Sequence, residues 1–358
     1  MKKQLKNTAI QSQTGLTLVE LMVAMVISLL LIGGTITIFI SNKQTYQVNE
    51  ASSRVQENGR FSFDFLKNDV RMAGFFGCVS NILDSSNFNN VVKTDNTVTF
   101  DGAPATDTNI KNLLSNVLGT NSIKGYAIGA TLTSGELFNL GVQTGAAAGD
   151  AVPNQDAIAV QIGESCDEGA VVQVMPNTAA NIKINDATAC GIQQGSVALI
   201  SDCTGADLFR VSNNPTGANK DTLTFGGNFN TGNLSKAYKQ DANVYALRSS
   251  IYYIGNSGSV NGGPALFRRI YSGANLAMVN QELVDGIESM NITYGVDTDD
   301  DNSANYYVTA ANVSASDWAN VTSARIRLVS ISASGNIVQS GDGKLRHTFT
   351  ETIKIRNR

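Results

Sequence analysis

The chain has 358 residues, 42% hydrophobic and only 16% charged, with 33 Gly, 4 Cys, 1 Trp and 1 His. Its 26 Lys+Arg against 30 Asp+Glu give a formal charge of −4, without the basic domain a nucleic-acid binder needs. A lone His347 speaks against histidine-based catalysis and His-rich metal sites, so no enzyme is expected.

Residues 1–15 carry Lys2, Lys3 and Lys6 and no acid. Without those cations the remainder holds 23 Lys+Arg against 30 Asp+Glu, a charge of −7. From Leu16 to Ile40 the chain is apolar except for Glu20. As a helix this run reaches about 37 Å at ~1.5 Å per residue, enough for a hydrocarbon core of ~30 Å. Lysines on its N-terminal side alone predict a single-pass chain with a cytoplasmic N-terminus and the bulk outside. A secretory signal has a shorter apolar region followed by a small-residue cleavage site. Here the run ends in Ile40-Ser41-Asn42-Lys43, so that reading fits poorly. A carboxylate within such a run is costly unless paired or protonated, which marks Glu20 as functional. Snorkelling to the cytoplasmic interface is its plain alternative.

The border sequence Gly15-Leu16-Thr17-Leu18-Val19-Glu20 strongly resembles the class III signal of type IV pilins. The resemblance implies that a prepilin peptidase cuts between Gly15 and Leu16 and that Leu16 is N-methylated. Most pilins have Phe where this chain has Leu16, a position that varies within the family. The apolar run then stays on the mature protein, and Glu20 pairs with the amino terminus of a neighbouring subunit during assembly.

Ser41 to Ala73 contains no Pro, and Val48, Ala51, Val55, Phe61, Phe65, Val70 and Ala73 keep near-helical spacing. The expectation is one helix of roughly 58 residues. Residues 16–40 form its membrane and filament-core half, and 41–75 an amphipathic continuation lying on a domain. Gly33-Gly34 is its expected soft point. A bare coiled-coil seam competes, weakened by Gly59 and the irregular Phe spacing.

Residues 76–358 form the head. Alternating runs separated by Gly, Asn, Asp and Ser predict antiparallel strands at 156–162, 170–174, 196–200, 244–254, 265–271, 287–296, 321–332 and 347–355. The runs 324–331 and 348–355 alternate most cleanly and are expected to pair, with one face covered and one wet. Residues 82–155 have weak periodicity and look like a loop-rich insertion. The predicted class is α+β and pilin-like: a long N-terminal helix packed on a large antiparallel β-rich head.

The stretches Asp69–Cys78, Leu199–Cys203 with Ala206–Phe209, and Tyr294–Asp297 with Trp318 are similar to the PilW family of minor pilins. That resemblance implies a non-catalytic subunit that primes assembly of the type IV pilus and enters its tip complex. It implies as partners the prepilin peptidase, other minor pilins, the major pilin and a tip adhesin, in support of twitching, adhesion and DNA uptake. It places the chain in the inner membrane with a periplasmic head, and at the cell surface after assembly. A J-type minor pseudopilin of a type II secretion system shares the signal, and a membrane-tethered periplasmic binding module needs only the tether.

Cys78, Cys166, Cys190 and Cys203 lack a CxxC spacing, and an exported head favours two structural disulfides. Of three pairings the favoured one is Cys78–Cys166 with Cys190–Cys203. The run Asp297-Thr298-Asp299-Asp300-Asp301-Asn302 offers alternate carboxylates for calcium through Asp297, Asp299 and Asp301, with no other cofactor expected. Asn302 stands where an EF-hand loop has Gly, and Val308 where it has Glu, so a solvated turn is the competing reading. His347 belongs to an alternating strand, and Gly255–Gly263 lacks the strand–loop–helix context of a phosphate loop.

Overall fold

The computed structural model describes residues 15, 17–77, 88–93, 98–100, 103–105, 122–227, 229–259, 262–272, 277–339 and 341–356. Helix α1 spans Leu18–Met72. Thr17 caps it, its Oγ1 accepting the Glu20 amide at 3.3 Å. It stops where Ala73 turns extended and Gly74 takes φ 78°, a left-handed exit that suits glycine. Gly74 then donates to the Gln161 carbonyl at 2.9 Å, so the chain leaves the helix directly into the head.

Strands follow in the order β1 (Phe88–Asn90), β2 (Val98–Phe100), β3 (Ala103–Ala105) and β4 (Ile123–Ala127), then a four-residue α2 (Glu136–Asn139) and β5 (Asp156–Glu164). Next come β6 (Ile182–Lys183), β7 (Val197–Asp202), β8 (Gly205–Arg210), β9 (Thr222–Leu223) and β10 (Asn243–Asn256). The chain closes with β11 (Pro264–Ser272), β12 (Ala277–Asp285), β13 (Ile287–Val296), β14 (Tyr306–Thr309), β15 (Val321–Ile331) and β16 (Arg346–Lys354).

Two sheets matter. The larger has the order β1-β8-β7-β10-β11-β12, with β5 and then β4 branching from β10. Strand β10 makes this possible by its length: residues 243–246 pair with β7 and 246–252 with β5 along the strand. The smaller sheet is β14-β13-β15-β16. As the alternation predicts, β15 and β16 pair antiparallel, with Ala324 opposite Ile353 and Leu328 opposite Phe349. The run 170–174 makes only isolated bridges, at Ala170 and Val171. Within the expected insertion, β4 adds Ile123 to the main core.

The main apolar cluster lies between the two sheets and the second half of α1, joining Phe63, Leu66 and Val70 to Ile158, Tyr252 and Ile326. The buried helix face is Val55, Gly59, Ser62, Phe63, Leu66, Asp69 and Val70. This corrects the expected stripe, because Phe61 and Phe65 point away and are 50% and 39% exposed. Gly59 belongs to the packing: a Cβ there would fall 2.1 Å from the Phe349 ring of β16. One turn earlier, Asn58 donates through Nδ2 to the Asp285 carbonyl (3.0 Å) and carboxylate (3.2 Å), where β12 passes into β13.

Farther up the helix, Lys67 pairs with Glu351 of β16. Asp69 is buried and accepts from Arg248 Nη2 at 2.9 Å and Tyr252 Oη at 2.6 Å, both on β10. Burial and the Asp69 carboxylate push the Tyr252 phenol well above its usual range, keeping it a donor. The Arg71 carbonyl accepts the Arg356 amide at 3.0 Å. Together these contacts fix both the axial position and the rotation of the helix on the head.

The sheets are also stitched to each other. Gln155 Oε1 and Asp156 Oδ2 accept the amides of Met290 (3.0 Å) and Ile292 (2.7 Å), which lie beyond the end of β14. Burial raises the Asp156 carboxyl above its ordinary value, and the Ile292 amide only partly offsets this.

Candidate functional site

Three sets of residues carry the chemistry anticipated above, and the fold keeps them apart. The first lies at the start of α1. Every residue from Leu18 to Glu50 is exposed, so the apolar part of the helix, Leu18 to Ile40, projects about 35 Å at ~1.5 Å per residue with no cover from the described residues, and a polar stretch to Glu50 joins it to the head. An apolar surface of this size is unstable in water and requires lipid or other helices. Among the described residues, none lies within 4 Å of the Cβ position of Gly15. Leu16 lies outside the described residues. Glu20 is the third residue of the helix; the cap above it uses its backbone amide and leaves the carboxylate exposed. Gly33 and Gly34 have open space around them. The helix nevertheless runs through both without a break.

Disulfides form the second set, and here the favoured pairing is corrected. Cys166 bonds to Cys190, with Cα atoms 5.4 Å apart and a separation of 24 residues. Cys190 is buried in a second apolar cluster with Ile184, Ile192 and Phe225, and Cys166 packs against that cluster. A Cys190–Cys203 bond is excluded because Cys190 is already bonded to Cys166, across the second cluster rather than around β7. Cys203 is also disulfide-bonded. Cys78 lies outside the described residues. A shared cluster, unlike a shared strand, leaves no local mark in the sequence.

The third set is the acidic loop after β13. Strands β13 and β16 run parallel, on either side of β15, and Arg356 just beyond β16 meets Arg71 near the helix end. The loop therefore sits at the end of the head farthest from the apolar segment. Asp297, Asp299 and Asp301 bring one carboxylate oxygen each within 4.8 Å of one another. Asp297 is buried and organises the turn: Oδ1 accepts the amides of Asp299 (3.2 Å) and Asp300 (2.8 Å), and Oδ2 that of Asn302 (2.8 Å). Burial opposes ionisation of Asp297, but these amides together hold its carboxyl below the ordinary range. Asn302 takes φ 62°, the conformation that the glycine of an EF-hand loop supplies. Its presence thus does not prevent the turn.

Calcium held by these carboxylates is expected to raise the melting midpoint of the head, with the gain lost on chelation and in Asp299→Asn. A midpoint indifferent to calcium and chelator would leave Asp297 as the acceptor of a solvated turn only.

His347 is exposed and stacks edge-on against Phe349, with centroids 4.6 Å apart. It sits at the exposed start of β16, with no nucleophile motif beside it. One residue the sequence reading passed over is Asp69. Its partners stand 179 and 183 positions away, so its own neighbourhood in the chain does not reveal them.

Comparison with known proteins bears on both ends of the chain. Residues 10–36 match the model of the prokaryotic N-terminal methylation motif. Residues 251–342 match the family model described as type IV pilus-assembly protein W, a span from β10 through β15 that includes the acidic loop. The stretches around Asp69–Cys78 and Leu199–Phe209 lie outside both spans. No curated protein and no solved structure matches the chain.

Proposed function

We propose, from the premise that this chain is a PilW-like type IV pilin anchored by its N-terminal apolar helix, that it acts as a minor pilin priming assembly of the pilus. The observation that carries the reading is the pairing of a methylation-type signal with an uncovered apolar helix rooted at its far end in a β-rich head. A membrane tether alone needs neither the signal nor a helix fixed in rotation by Asn58, Lys67 and Asp69. The head lies on the periplasmic side and the lysine-bearing leader in the cytoplasm.

In this role the chain catalyses nothing. A peptidase removes residues 1–15, Leu16 becomes the methylated N-terminus, and the apolar half of α1 moves from lipid into the helical core of the filament. The head meets other minor pilins, the major pilin and a tip adhesin, and through the pilus supports twitching, adhesion and DNA uptake. The match to a pilus-assembly family supports the pilus over the pseudopilus of a secretion system.

Mass spectrometry of the chain purified from membranes of a peptidase-competent host tests the first step. The expected N-terminus is N-methylated Leu16. An intact leader, or cleavage near residue 40, would refute processing of the pilin type.

A further inference from the structure

The smaller sheet has two unlike faces. Alternation turns Ile292, Ile326 and Leu328 inward to the core shared with α1, and Asn291, Arg325, Arg327, Thr350, Thr352 and Lys354 outward to solvent. This outer face is rich in hydroxyls and cationic, in a chain whose net charge is negative. Arg325 and Arg327 sit two residues apart on one strand, about 6.8 Å at ~3.4 Å per residue. Arg325 stacks over Tyr307, 4.0 Å from the ring centroid, and its Nε donates to Thr352 Oγ1 at 3.2 Å. Among the described residues no carboxylate pairs with Arg325, Arg327 or Lys354. Arg346, at the start of the same strand as Lys354, is by contrast held by Glu288 (2.7 Å) and Asp342 (2.8 Å).

The character of the face selects its occupant. A stable protein interface has an apolar centre, and here the only large apolar side chain is the half-buried Val329. A single-stranded nucleic acid needs free aromatic platforms, and Arg325 already covers Tyr307. A bilayer surface draws apolar side chains inward, and this face offers none that are fully exposed. What remains is guanidinium groups without a carboxylate partner, among threonine hydroxyls and an asparagine amide. Those groups match carboxylates spaced along a hydroxyl-rich polymer, since the planar fork of Arg takes a carboxylate bidentately.

We infer that the outer face of the β14-β13-β15-β16 sheet binds a carboxylate-bearing polysaccharide, through Arg325, Arg327 and Lys354. The inference does not depend on the pilus reading, although a face turned away from α1 looks outward from any filament with that helix at its axis.

Binding of the full-length chain in detergent to immobilised polygalacturonate tests this. The wild type is expected to bind, with affinity falling as salt rises. Arg325→Glu with Arg327→Glu is expected to weaken binding at least tenfold, whereas Arg54→Glu on α1 leaves it unchanged. Arg327→Glu alone, at an exposed side chain with no hydrogen bond or ion pair, gives a readout free of folding defects and is expected to weaken binding severalfold. Wild-type affinity in both variants would overturn the inference. So would equal retention on neutral dextran, or binding to duplex DNA in place of polygalacturonate.

Discussion

Asp69→Ala is expected to lower the melting midpoint of the chain by roughly 4 °C and to loosen α1 from the head. The carboxylate is 2% exposed and accepts from both Arg248 and Tyr252. Its removal strands the buried Tyr252 phenol and leaves Arg248, a quarter exposed, with only the 4.0 Å pair to Glu164, instead of deleting a surface pair. Breaking a buried pair from one side costs about 3 kcal/mol, and an unfolding entropy of ~2.1 cal/mol/K per residue makes that roughly 1.3 °C per kcal/mol for 358 residues. Lys67→Ala, at an exposed pair with Glu351, is expected to cost under about 1 kcal/mol. Asp69→Asn keeps the shape and one acceptor, so its loss should fall between the two. If the loss of the close partner of Arg248 is the cause, Arg248→Met in the Asp69→Ala background should recover part of the midpoint. Thermal melts of the four variants measure this, and an Asp69→Ala midpoint within 2 °C of wild type would sink the argument.

That contrast also shows what the sequence could reveal. Periodicity is local, so the absence of Pro from Ser41 to Ala73 and the alternation at 324–331 and 348–355 placed α1, β15 and β16 well. Strand β12, Ala-Met-Val-Asn-Gln-Glu-Leu-Val-Asp, has a polar centre because it pairs only with β11 at the sheet's edge, and it carries little strand signal. Strand β8 was legible only as a familiar stretch, Ala206–Phe209, because burial on both faces erases alternation. The helix face was misread for a related reason. Seven apolar residues from Val48 to Ala73 fit a helical period loosely, whereas the head meets only Val55, Val70 and Ala73 of them and adds Phe63 and Leu66, which that period passes over. Long-range pairs left no trace at all. Asp69 with Arg248, Asn58 with Asp285 and Cys166 with Cys190 are set by how sheets stack, and nothing near any of those residues announces its partner. The assembly end was the most legible part of the site. A leader, a glycine border and one acid in an apolar run are all contiguous.

Glu20→Gln is expected to leave the head folded and the chain in the membrane, while lowering its incorporation into pili at least tenfold. Two roles compete for this residue, and their magnitudes separate them. As the third residue of α1, Glu20 lies near the positive end of the helix dipole, a local effect of about 0.3–1 kcal/mol. The cap itself runs from the Glu20 backbone amide to Thr17 Oγ1, so Gln at this position keeps it. Pairing with a neighbour's amino group is a larger effect. At 4 Å and an effective dielectric of ~20, opposite charges attract by about 4 kcal/mol, against tenfold in an equilibrium for each ~1.4 kcal/mol. Even after most of that is offset by desolvation, the remainder exceeds the dipole contribution. Gln keeps the side-chain volume and removes only the charge, so the variant isolates the pair. The measurement is the ratio of chain in sheared pili to chain in the membrane fraction, with the melting midpoint of the extracted protein as a control. Wild-type incorporation of Glu20→Gln would assign the carboxylate to the helix start alone, and α1 would then be an anchor whose register in a filament is set elsewhere.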